Sequence, residues 1–467
     1  MASRHRAESG SRAFSDVRNS TQAPLQMTVM TLALLAAVFG AWLVWRMFLP
    51  LEINYNEAWN GWLAQAAMGR GPLYPDADAL TVNNYPPLSF YIVGALAQVL
   101  HLSPVFVGRV GSLLGLAATS GAAAAIIAVL GGSRIAAALG GIWCLATIER
   151  VCQRQAALDE PTLLALAVMA WALVWLLVCS RRGKRADAAI LMMVVAGFIK
   201  HNLIAIPVAS LAWLWIGEDR RLAARLTLVG GLGAGAGLAT CTMIYGQAFL
   251  TQIFLFSRVI SPARVFTELF KPLALAVALY VGLTWAWRCR RGAASARFVL
   301  TFTVVALAVF IIERAGDGVD CNAMFELVLA AAVGLGLGVE RMEGGWLARK
   351  LGLPRARLIV LAALLAPLLA TPDMRPYLLI VSPDYRAAAL SASRAADAEV
   401  ARVRAIPGKV YCTTTIVCFW AGKAFVYDPW AMGQRVATGR WSRERLDRAL
   451  ALAAIKTEII SQDFPMH

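Results

Sequence analysis

Eleven apolar segments, each near the roughly 20 residues that a membrane-crossing helix needs, occupy residues 27–49, 104–130, 135–149, 161–179, 186–199, 202–216, 222–246, 270–287, 296–312, 323–339 and 356–370. A chain built this way has to satisfy its backbone within helices, because lipid offers no partner to a free N–H or C=O. The composition agrees, with 59% of the 467 residues hydrophobic and only 15% charged. The expectation is an all-α polytopic membrane protein with about 11 transmembrane helices. The formal net charge of +16 is no sign of nucleic acid: the basic residues fall in short clusters between apolar runs, and no basic face with interleaved aromatics occurs. Eight cysteines carry neither a CxxC pair nor zinc spacing.

The clusters set an orientation. A polar arm with Arg4, Arg6, Arg12 and Arg18 precedes the first apolar segment, which has no clear small-residue cleavage site and reads as a retained span. With that arm inside, alternate loops carry Arg134, then Arg181, Arg182, Lys184 and Arg185, then Arg220, Arg221 and Arg225. Arg288, Arg290, Arg291 and Arg297 follow, then Arg341, Arg349, Lys350, Arg355 and Arg357. All lie on one side, as the positive-inside rule requires. The chain then divides into a basic arm (1–26), a membrane domain (27–370) with a first external loop at 50–103, and an external C-terminal segment (371–467). "PPLSFYIVGALAQVLHL" at 86–102 fits the alternation only as a helix lying in the interface.

The opposite side collects the unusual polar residues, which are costly at the edge of a bundle and therefore point to function. In "NYNEAWNGW", Asn54 and Glu57 have capping-box spacing, while helical phasing sets Trp59, Trp62, Leu63 and Ala66 on a face suited to the membrane interface. Glu57 lies opposite with Asn60 beside it, placed to take a proton from a hydroxyl at the lipid boundary. In "ERVCQRQAALDEP", the acids before Pro161 are a helix-start signal; alternatively Arg150 and Arg154 bind a phosphate while Asp159 or Glu160 orients them or the acceptor. Lys200, His201 and Asn202 interrupt about 30 apolar residues. The Lys200 ammonium either snorkels to water or neutralises a phosphate leaving group. Asn322 and Glu326, four apart, share a helix face.

The C-terminal segment changes character. Residues 406–433 alternate β-branched and turn residues, and "RWSRERLDRALALAAIKTEIISQDF" reads as an amphipathic helix followed by a strand, so a small α/β external unit is expected. Cys412 and Cys418 form either a disulfide or two buried thiols. No nucleotide-binding glycine loop occurs, and no cluster of carboxylates compels a metal, which leaves a divalent cation open.

Taken together, "NEAWNGWLAQAAMGRGPLYP", "NNYPPLSFYIVGAL" and "RQAALDEP" resemble the first external loop, the Pro-Pro juxtamembrane helix and the Arg to Asp-Pro loop of the GT-C glycosyltransferases. The branch concerned is that of bacterial enzymes similar to protein O-mannosyltransferases and lipid A aminoarabinose transferases. The resemblance covers roughly residues 50–210. It implies a GT-C-like fold and a polyprenyl-phosphate-linked sugar donor. It also implies a lipid, glycan or protein acceptor and transfer on the periplasmic face of a bacterial inner membrane, with the N-terminus cytoplasmic, the C-terminus periplasmic and membrane lipids as surroundings. Where the family has an Asp-Glu pair, this chain has Asn56 and Glu57. The expected catalytic residues are Glu57 and Asp159: either Glu57 takes over the acid's duty as base with Asp159 as an orienting second carboxylate, or the base is Asp159. The expected substrate contacts are Asn56, Asn60, Tyr85, Arg150, Arg154, Glu160, Lys200, His201, Asn322 and Glu326. A transporter, flippase or oligosaccharide ligase for lipid-linked glycans is the alternative.

Overall fold

The computed structural model describes residues 2–268, 271–342, 345–370 and 372–460. Each apolar segment becomes a helix. In chain order these are α1 (Ala2–Met47), α2 (Asn56–Ala67), α3 (Leu88–Leu100), α4 (Pro104–Val129), α5 (Arg134–Val151), α6 (Thr162–Arg181), α7 (Asp187–Ile199), α8 (Ala205–Trp213), α9 (Arg220–Phe254) and α10 (Pro262–Glu268). There follow α11 (Ala276–Cys289), α12 (Ala294–Arg314), α13 (Phe325–Glu340), α14 (Trp346–Leu351), α15 (Leu353–Ala370) and, in the C-terminal segment, α16 (Arg375–Val381) and α17 (Pro383–Ala405). Among the described residues, 7 helices are long and apolar enough to cross a membrane, with four shorter apolar ones beside them.

At the centre stands α13, buried along its length from Phe325 to Val339, as a helix apolar on every side should be. Small residues bring its neighbours in: a Cβ on Gly282 of α11 would stand 2.8 Å from the Cα of Gly334, the close approach that packing in lipid rewards. The basic loops gather at one end of the bundle. There Arg341 bonds the Gly131 carbonyl, the Ser133 N–H meets Glu340, Arg297 reaches Glu218 and Arg225 pairs with Asp187.

The helices α7 and α8 both start or finish among those loops and meet at Lys200. At 1.5 Å per residue α7 is about 20 Å and α8 about 14 Å long, both short of the ~30 Å hydrocarbon thickness, and Lys200 between them is buried. Opposite effects act on α9, which breaks at Gly246 (φ 65°, ψ −155°), a backbone conformation that favours glycine. Its last two turns bend over the loop between α2 and α3, where Gln252 accepts the Asn83 N–H and donates to the Pro75 carbonyl.

The C-terminal segment continues with β1 (Val410–Cys412), α18 (Thr415–Trp420), α19 (Pro429–Ala437), α20 (Arg443–Ala453) and β2 (Lys456–Glu458). The two strands pair in parallel, Val410 opposite Lys456, and Cys412 is bonded to Cys418. Within 406–433 only one short strand forms; the rest of the regular structure is helix, with Asp428 accepting the Ala431 N–H to start α19. Val400, Val403, Ile416 and Phe419 form a core into which α2 inserts Ala58 and Trp62. Trp59 and Trp62 are accordingly buried against protein, Trp59 bonding the Val82 carbonyl and Trp62 the Lys423 carbonyl while stacking on Phe425. The face phased for the membrane interface is covered by protein instead, Trp62 by this segment and Trp59 and Leu63 by Tyr74, Phe90 and Phe249.

Candidate active site

The helix α2 starts at Asn56 without a side-chain cap. Asn54 Oδ1 accepts the Asn56 N–H at 3.0 Å, and Glu57 Oε2 accepts the Ile53 N–H at 3.0 Å, so the reciprocal capping box does not form. Glu57 is fully buried and is taken up by Arg109 of α4, Nε to Oε1 at 2.6 Å and Nη2 to Oε2 at 2.7 Å. The remaining Arg109 donors bind the carbonyls of Met47, Leu49 and Leu51 at 3.1, 2.9 and 2.7 Å. This is the bidentate fork for which arginine is suited. It ties the end of α1 and the start of α2 to α4, and the Asp159 N–H adds a 3.3 Å contact to Glu57 Oε1.

The loop before α6 is held from several directions. Cys152 is disulfide-bonded to Cys321, Gln155 donates to Asp320 at 2.8 Å, and Arg46 donates to the carbonyls of Gln153 and Ala156. Ala157 sits at φ 50°, a left-handed conformation that costs an L-residue about 1–2 kcal/mol and is retained where surroundings over-determine the backbone. Two residues on, the adjacent carboxylates diverge. Glu160 starts α6 by accepting the Thr162 N–H at 2.9 Å and its hydroxyl at 2.7 Å, and pairs with Lys200 at 2.7 Å. Lys200 Nζ in turn sits 3.1 Å from the Tyr85 ring centroid.

Asp159 has none of this. Its carboxylate packs against Gly108 of α4, where any Cβ would collide with Oδ1, and its buried Oδ2 has no hydrogen-bond partner. Burial pushes its carboxyl well above the ordinary range, and the neighbouring Glu57 charge acts in the same direction.

Asp159 is one of four such groups in one place. Asn60 Oδ1, Ser89 Oγ, Ser112 Oγ and Asp159 Oδ2 are all buried without partners, and all four residues line a single cleft between α2, α3, α4 and the start of α6. Native proteins satisfy about nine in ten buried polar groups, so four orphans around one space of about 20 Å³ leave a polar recess with room for a water-sized group. The Asn60 amide nitrogen is committed to the carbonyls of Asn56 and Asp159 at 2.9 and 2.7 Å, which aims its oxygen.

A second cleft lies along the other flank of α2, lined by Asn56, Asn84, Tyr85, Arg258, Asp428 and Trp430 among others. The Arg258 guanidinium stands 5.4 Å over the Trp430 ring. Burial lifts Asp428 to about 6. No three His, Cys, Asp or Glu side chains among the described residues group so as to hold a metal ion.

No family model matches this sequence, and no curated protein does. Solved structures match it across nearly the whole chain. ArnT from Cupriavidus metallidurans, bound to undecaprenyl phosphate, superposes with a TM-score of 0.57 at 13% identity, covering 91% of this chain and 90% of its own. The Archaeoglobus fulgidus oligosaccharyltransferase AglB, in complex with an inhibitory peptide and a dolichol-phosphate, does so with 0.54 at 10% identity, covering 87% of this chain and 65% of its own. The chain has the GT-C fold. At such identities the likeness extends to architecture alone, and the chemistry of this chain has to be argued from its own residues.

Of the residues anticipated from sequence, Asn60, Asp159 and Glu160 line the first cleft of this GT-C bundle and Asn56 and Tyr85 the second, with Lys200 touching both Tyr85 and Glu160. Others are placed elsewhere. Arg150 donates to the carbonyls of Leu368 and Asp373 and lies between Phe39 and Tyr377. Glu326 caps α8 through the N–H groups of Ala205 and Ile206; Arg154 and His201 are exposed and Asn322 is half-buried. Sequence reading missed Arg109, Ser89, Ser112, Arg258 and Asp428. A lone arginine inside the apolar 104–130 segment was the available signal for Arg109; the others are unremarkable in sequence.

Proposed function

We propose that this chain is a membrane glycosyltransferase that moves a sugar from a polyprenyl-phosphate donor to an acceptor hydroxyl at the carboxylate-bearing end of the bundle. The observation that carries this is the unpartnered Asp159 carboxylate, facing a cleft with three further orphaned polar atoms. Such a group, its pKa raised by burial, is a strong base once ionised and is suited to take the acceptor proton. Attack on the anomeric carbon in one step inverts its configuration. Glu57, with its oxygens occupied by Arg109, positions α2 and the Asp159 backbone instead of acting as the base. Lys200, which pairs with Glu160 next to Asp159 and also touches Tyr85 of the second cleft, is the cation placed to meet the departing lipid phosphate. The undecaprenyl phosphate on ArnT and the dolichol-phosphate on AglB support a lipid-linked donor.

In this reading residues 1–26 are a cytoplasmic arm, 27–370 the transfer domain and 371–467 a periplasmic cover in a bacterial inner membrane. The test is transfer of labelled sugar from polyprenyl-phosphate donors to cell-envelope acceptors by protein purified in detergent. Transfer without any sealed compartment is expected. Label that moves only across intact vesicles would replace the enzyme by a transporter.

A further inference from the structure

The helix α19 connects the second cleft, the one that holds Arg258, to a separate pocket that the proposed reaction does not use. Trp430 and the Asp428 before it line the cleft; at the far end Arg435, Arg440 and Trp441 line the second pocket, with Asp78 of the first external loop and Phe256 opposite. The wall between the two spaces is the Phe256–Trp430 ring pair, centroids 5.6 Å apart. The segment that supplies Phe256 continues two residues later into Arg258 of the cleft. Gln434 fixes α19 in this position, accepting the Val259 N–H at 2.8 Å and donating to Asp317 at 2.6 Å.

The second pocket is built for negative charge. Trp441, 7% exposed, is flanked by two guanidinium groups, Arg435 at 5.2 Å and Arg445 at 4.4 Å from the ring centroid; such stacking holds arginine in a fixed geometry. Arg435 donates one bond to the Ala79 carbonyl, and Arg445 pairs with Asp78 at 2.7 Å. Arg440 is exposed and makes no ion pair among the described residues. Against Arg435, Arg440 and Arg445 stand the carboxylates of Asp78 and, nearer the cleft, Asp428, leaving an excess of positive charge. Trp430 to Arg435 is five residues, about 8 Å along a helix axis.

We propose that this pocket is a binding subsite for an anionic saccharide, a uronate or a sugar phosphate, whose charged group sits on Arg435 and Arg440, beside the cleft that holds Arg258. The assignment deepens the glycosyltransferase reading and rests on it for the link to transfer, but saccharide binding can be measured directly. Full-length protein in detergent is titrated with trigalacturonate, its methyl ester and mannose 6-phosphate, for the wild type, Arg440→Lys and Arg440→Glu, at low and high salt. One of the two anions should bind the wild type and Arg440→Lys, at least tenfold more weakly to Arg440→Glu and at high salt, with the ester not binding. Which anion binds names the source of the charge. Equal binding of the ester, unchanged affinity in Arg440→Glu, or no binding of either anion in the millimolar range overturns the subsite. Wild-type binding of polyprenyl phosphate, measured alongside, reports on the transferase reading separately: its absence would sink that reading while leaving a positive saccharide result standing.

Discussion

Two loops bring carboxylates to the same point of the molecule and treat them oppositely. Glu57, from the first loop, is enclosed by an arginine fork and two backbone N–H groups. Asp159, from the second, is equally buried and has no donor on its inner oxygen. A folded chain pairs its buried charges because an unpaired one is costly. The first acid therefore organises the fold, and the second is held in readiness for something the fold does not supply. Even the immediate neighbours repeat the contrast, since Glu160 is consumed by Thr162 and Lys200 while Asp159 is left open.

The comparison breaks most visibly at Arg109. Arg109→Ala should strand Glu57 as an uncompensated buried charge, a loss of about 3–5 kcal/mol against a total stability of about 5–15 kcal/mol for a folded domain. Detergent-solubilised protein should lose its monodisperse peak in size-exclusion chromatography, and Arg109→Ala with Glu57→Gln together should recover part of it. Gly108→Ala should act on Asp159 alone. The added methyl takes the place of Oδ1, and a displacement of about 1 Å at a reacting group is enough for about a hundredfold loss of rate, with the thermal midpoint falling little.

A third and smaller effect concerns Glu52, which docks the first loop on the C-terminal segment by accepting the Thr415 hydroxyl and the Ile416 N–H, each at 2.9 Å. Burial raises its carboxyl to about 7 from an ordinary 4.5. Between those values the folded chain binds more protons than the unfolded one, so stability falls as pH rises through that window. Glu52→Gln should flatten the fall. Thermal melts at pH 5 and pH 8 should differ less for the variant than for the wild type, and an unchanged difference would remove Glu52 from this role.

How much of this was legible in sequence follows from the range of each interaction. Apolar segments report burial locally, and all eleven became helices, including the interrupted pair around Lys200, as did the separate stretch at Leu88–Leu100. Asp159 could be picked out as one of two acids, but its freedom depends on Gly108, 51 positions away, and on Glu160 being drawn off by Lys200. The Asn54 and Glu57 spacing pointed to a local cap, whereas the stronger partner of Glu57 was Arg109, which no local pattern connects to it. Helical phasing put Trp59 and Trp62 on one face, but Trp62 is covered by α18 and the chain after it, more than 350 residues on, and Trp59 by Tyr74, Phe90 and Phe249. In the C-terminal segment the β-branched alternation around Thr415 gave way to helix because Ile416, Val417 and Phe419 face one compact core.

The account turns on Asp159 being structurally dispensable and chemically required. The direct test is Asp159→Asn, with thermal midpoint and sugar-transfer rate measured on the same detergent-purified preparation. The account predicts a midpoint at or above that of the wild type, since a buried unpaired acid is replaced by a neutral amide, together with a rate lower by about two to four orders of magnitude. A variant that transfers sugar at the wild-type rate, or that fails to fold, would contradict it.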